Sequence, residues 1–153
     1  MGFSLTGLMI TGVILLPNLL MILLSPKNAP DKVKSAGALM TVLERVGQAG
    51  CFVLPVISKG YIENAEISIW FMLAALSIAF YYGLWLRYAL RRDFALLFAP
   101  LWRIPVPMAV FPVLAFAFIA LWIESVWLGA AALLLAVGHF ANSWVAYKTA
   151  ADV

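Results

Sequence analysis

Two apolar runs of this chain carry side chains that could do chemistry. "TVLERVGQAG" holds Glu44, Arg45 and Gln48, and "LLLAVGHFANSW" holds His139, Asn142 and Ser143. A Glu and a His that pair away from bulk water can take up and release a proton. Asn18, Tyr81 and Tyr82 stand in two further apolar runs and could hydrogen-bond a ligand. Other chemistries lack their residues. One His, one Cys and scattered acids show no repeated ligand spacing, so neither a metal nor a cofactor is expected. There is no phosphate-binding loop, no nucleophile elbow and no internal repeat.

Composition says what must position these groups. Hydrophobic residues make up 65% of the 153-residue chain and charged residues only 11%. Soluble domains carry roughly 25% charged residues. Several runs approach the ~20 residues that cross a bilayer as helix. Short alternating segments, the mark of a transmembrane barrel, are missing. The sequence therefore predicts an all-α integral membrane protein, with residues 1–153 as one transmembrane domain. Its spans are expected at 3–25, 36–58, 67–88, 105–123 and 126–147. Residues 94–103 are too few to cross and are expected along the membrane surface, or as an apolar linker.

Basic residues set the expected orientation. Lys27, Lys32 and Lys34 lie in the first loop, Arg87, Arg91, Arg92 and Arg103 around the third, and Lys148 in the tail. The opposite side has only Lys59. Basic loops stay cytoplasmic, so the N-terminus should face out and the C-terminus the cytoplasm. The first apolar run lacks the positive flank and cleavage pattern of a secretory signal and is read as a span. The expected location is the cell membrane, multi-pass. A net charge of +3 is too small to suggest nucleic acid.

Helix rise places the polar groups at a common level. Counted from the inner span ends, Glu44 and Arg45 lie ~12–14 Å deep, His139 ~12 Å, and Asn18 ~10 Å, with Tyr81 and Tyr82 at similar depth. Polar groups at this depth turn from lipid and pair. Glu44, Gln48, Cys51 and Pro55 share one helix face, while His139, Asn142 and Ser143 share another. Glu44 is expected to pair with His139. Arg45 points about 100° away from Glu44 and could reach toward the inner interface. Pro17 should free the Val13 carbonyl at the same level. The fourth span has no polar residue in this layer and is expected to face lipid or a partner.

Asn18, Glu44, Arg45, Gln48, Tyr81, His139 and Asn142 are thus the expected substrate-binding residues. The expected function is a small transporter or permeation protein, proton-linked through Glu44 and His139. Its ligand would be small and polar or amphipathic, and a homodimer is plausible. The alternatives are a membrane enzyme acting on a lipid or isoprenoid, with Arg45 or Arg103 holding phosphate, and an accessory subunit of a larger membrane complex. The orientation is tested by fusion and labelling. A C-terminal fluorescent protein should fold and fluoresce in the cytoplasm, and an N-terminal epitope should be reached by antibody from outside.

Overall fold

The computed structural model describes residues 2–30 and 33–151. Five long helices make up its body. They are α1 (Leu5–Leu23), α2 (Ala38–Ile57), α3 (Ile69–Arg91), α4 (Pro107–Trp122) and α5 (Val126–Ala151). Among the described residues there is no strand, only isolated bridges such as Lys27 with Asp93. By length and composition, α1, α2, α3 and α5 can each cross a membrane. α4 has 16 residues, a length of ~24 Å.

Local chemistry sets the helix ends. The Ser4 hydroxyl accepts from the Gly7 amide at 3.0 Å and starts α1. Ser125 caps α5 by accepting from Leu128 at 3.3 Å. Pro107 begins α4, where its missing N–H leaves no bond unmade. α3 stops at Arg92, which takes the left-handed conformation.

Helix α1 is not regular throughout. Residues Leu16–Leu19, around Pro17, tighten into a 3-10 turn. Pro17 cannot donate to Val13, and the Tyr82 hydroxyl of α3 donates to that carbonyl instead, at 2.7 Å. Tyr81 donates to Asn18 Oδ1 at 2.5 Å, and Tyr88 to the Leu24 carbonyl at 2.6 Å. Three tyrosines of α3 therefore hold α1 on both sides of its break, from Val13 to Leu24 just past its end, and the two helices run parallel.

The tightest helix pair is α2 with α5, and glycine makes it possible. A Cβ on Gly47 would overlap the Leu135 backbone, and one on Gly138 the Glu44 backbone. Gly50 faces the Ala131 methyl. These contacts run in opposite chain order, so the pair is antiparallel. Small residues allow such approach where lipid supplies no hydrophobic drive between helices. Gly7 makes a similar approach to the Pro55 carbonyl and joins α1 to α2. Trp70 against Phe118 and Phe80 against Phe111 align α3 antiparallel to α4. Chain direction consequently alternates through all five helices.

The fourth helix departs from expectation. Phe111, Val113, Ala115, Phe116, Ile119 and Ala120 of α4 are buried, and the helix forms the centre of the bundle. It therefore faces neither lipid nor a partner along these residues. A helix apolar all round suits a protein interior as well as lipid, so its pattern could not separate the two. Large apolar side chains instead project outward from the surrounding helices, among them Ile22, Leu39, Met72, Leu86 and Leu133.

The basic loops meet at one end. The Lys27 amide donates to the Arg92 carbonyl at 2.6 Å, and Phe94 donates back to Lys27 at 3.1 Å. Residues Phe94–Leu97 form a 3-10 turn capped by Asp93. Phe94 and Leu97 are buried against Tyr88, Trp85 and Met108. The first part of the segment 94–103, expected at the membrane surface or as a linker, thus folds onto the end of the bundle, while Trp102 near its far end is 81% exposed.

Close approach at Gly138 can be tested against a glycine in open space. Gly138→Val should lower stability in detergent by ~1–3 kcal/mol, the usual range for overpacking. Gly12→Ala, whose added methyl meets nothing within 4 Å, should leave it unchanged or raised. Fluorescence-detected thermal unfolding measures both.

Candidate functional site

The α2–α5 register sets Glu44 opposite His139. Gly138 precedes His139 and lies on the Glu44 backbone, so the two side chains meet without reaching. Glu44 Oε1 lies 2.6 Å from His139 Nδ1. Asn142, one turn along α5, donates through Nδ2 to Glu44 Oε2 at 2.5 Å. Its Oδ1 accepts from the Ala36 amide at 2.8 Å, just before α2 begins. Both carboxylate oxygens are engaged, and Asn142 ties the α2 approach to α5.

With Glu44 ionised, Nδ1 carries the hydrogen of its bond, and Nε2 is the nitrogen left for a ligand or water. The pair is not sealed: the His139 side chain is 32% exposed and that of Glu44 21%.

His139 lines two cavities. The larger, about 180 Å³, is bounded by Asn18, Tyr81, Trp85, Met108, His139 and Ser143. The smaller, about 90 Å³, reaches Gln48, Phe52, Pro112 and Phe116, and again touches Asn18, Tyr81 and His139. Tyr81 is buried, and its bond to Asn18 spans the wall between α1 and α3. Asn18 stands in the 3-10 turn that Pro17 creates, so the backbone irregularity sits at the cavity wall.

Six of the seven expected residues are gathered here. Asn18, Gln48, Tyr81 and His139 line the cavities, with Glu44 and Asn142 bonded behind His139 or beside it. Arg45 does not join them. It is exposed, and among the described residues it makes no ion pair. Adjacent helical residues point about 100° apart, so the register that seats Glu44 turns Arg45 out. Ser143, which the sequence set on the His139 face without assigning it to the ligand, also lines the larger cavity, as does Trp85, which lies four positions beyond Tyr81 on the same face and was not expected. Met108 comes from α4, whose sequence carried no signal.

Glu44 and His139 find no third His, Cys, Asp or Glu that could complete a metal site among the described residues. A wider opening of about 540 Å³ lies at the other end of the bundle, around Gly60, Asn64, Trp122 and Glu124. It contains no comparable hydrogen-bonded acid–base pair. Comparison with protein-family models, curated proteins and solved structures finds no match for this chain.

The Glu44–His139 bond should be energetically visible. A double-mutant cycle with Glu44→Gln and His139→Ala is expected to give a coupling of at least about 1 kcal/mol. That exceeds the ~0.6 kcal/mol average for polar bonds between membrane helices. Asn142→Ala should weaken the fold less, because His139 still holds Glu44. Thermal unfolding in detergent reads all three.

Proposed function

We propose that this protein is a small multi-pass transporter or permeation protein of the cell membrane. In this reading all five helices cross, with the N-terminus outside and the C-terminus cytoplasmic. Alternating helix direction supports five crossings, and the gathering of Lys27, Arg91, Arg92 and Arg103 toward one end supports that orientation.

One observation carries the functional reading. The imidazole that borders both cavities is the one bonded to Glu44. A ligand entering beside Asn18, Gln48 and Tyr81 would meet Nε2 of His139. Proton gain or loss at the pair would then change the charge the ligand meets. Cavities of about 180 and 90 Å³ are below the ~300–1,000 Å³ of drug-sized sites, so the ligand is small. Its polar part would bond Asn18, Gln48 and His139, and its apolar part would rest on Phe52, Met108 or Phe116.

The break in α1 supports transport. Transporter sites are typically built from discontinuous helices, whose freed backbone groups and hinges serve binding and gating. Asn18 and Met21, on the far side of Pro17, line the larger cavity. Movement of this half-helix would open the cavity toward the basic end. A symmetric homodimer, with one cavity in each chain, belongs to the same reading. The lipid-enzyme alternative has less support, because Arg45 and Arg103 are exposed and border neither cavity. The accessory-subunit alternative loses α4 as its docking face.

Proteoliposomes under an imposed pH gradient provide the test. A panel of small polar and amphipathic solutes should include one taken up in a gradient-dependent way. Its rate should fall at least about tenfold in Glu44→Gln and in His139→Ala, with both variants monodisperse. Uptake insensitive to both changes, or no uptake across the panel, would overturn the proposal.

A further inference from the structure

A groove unconnected with the Glu44–His139 pair runs along α3. It encloses about 310 Å³ and is lined by Leu76, Phe80, Gly83, Leu84 and Leu101, with Arg87 beside them. Leu76, Phe80, Gly83 and Arg87 step by four, three and four residues, which makes one stripe along the helix. Gly83 leaves the floor open, since an added Cβ would meet nothing within 4 Å. Leu101 brings in the loop after α3, whose next residue is the exposed Trp102.

Arg87 gives the groove its polarity. Its Nη2 donates to the Leu96 carbonyl at 3.1 Å and to the Ala99 carbonyl at 3.2 Å. These bonds orient the guanidinium without neutralising it. No carboxylate among the described residues lies within ion-pair distance of it, and its buried Nε has no partner. Arg91, one turn on, is exposed at the same end. A guanidinium at the edge of an apolar helix calls for an anion, and Nη1 is the nitrogen that these bonds leave for one.

We propose that this groove binds an anionic phospholipid from the leaflet at the basic end of the bundle. One acyl chain lies over Gly83, between Leu76 and Leu101. The headgroup phosphate meets Arg87, with Arg91 adding attraction for a net negative head. Trp102 would sit at headgroup level, where indoles collect. Charge and shape choose this occupant. Inorganic phosphate would leave the apolar length of the groove unused. A second copy of the chain would have to bring a carboxylate to Arg87.

Native mass spectrometry of the delipidated full-length protein tests the assignment, with dioleoyl phosphatidylglycerol and dioleoyl phosphatidylcholine as the probes. The anionic lipid should bind about fivefold more tightly or better, the effect of one interfacial basic residue. Gly83→Leu should abolish tight binding of both lipids while leaving the protein monodisperse. Arg91→Gln, which disturbs no backbone contact of Arg87, should reduce the preference. Arg87→Gln should remove it. Equal binding of the two lipids, binding unchanged in Gly83→Leu, or full displacement by millimolar inorganic phosphate would each overturn the proposal.

Discussion

The backbone contact between α2 and α5 is the constraint on which the polar site rests. A carboxylate and an imidazole on separate membrane helices bond only if the helix axes come close and the register is held. Gly47, Gly50 and Gly138 remove the side chains that would keep the axes apart. Gly138 immediately precedes His139, and Gly47 lies three residues beyond Glu44. The residues that permit approach therefore also set the register. In lipid, where burial of apolar surface gives little drive between helices, packing at such points and the hydrogen bonds it permits supply much of the association.

A second arrangement complements this one on the other side of the cavity. Pro17 breaks α1, and the resulting backbone irregularity would be costly if it met lipid. Tyr82 takes the freed Val13 carbonyl, while Tyr81 and Tyr88 hold Asn18 and Leu24. The broken segment is thereby kept against α3 with its bonds satisfied, and Tyr81 and Asn18 also become cavity walls. α4 fills the space between the two arrangements, adding bulk and no polar group.

The two ends of the bundle differ in charge as well as structure. Lys27, Arg91, Arg92 and Arg103 mark one end, where the first and third loops are hydrogen-bonded together. Lys59, Glu63, Glu66 and Glu124 mark the other, and Lys59 and Glu63 approach only to 3.9 Å at an exposed site. An exposed pair of that kind contributes little to stability. The asymmetry concerns placement in a membrane more than folding.

Much of this was legible before the structure. Apolar run length determined the helices to within a few residues, and helical rise placed Glu44, His139, Asn18 and Tyr81 at one level. Pro17 announced the free carbonyl at Val13, because a missing donor is a property of the residue itself. What only the tertiary structure decided was which faces met. The sequence of α4 is apolar on every side, so nothing in it distinguished the centre of the bundle from its lipid surface. Arg45 and Glu44 looked alike as charges in one apolar run, yet one turns out and the other in. That choice is made by Gly47 and Gly138 across the α2–α5 contact, and contact between distant segments is not written in the periodicity of either.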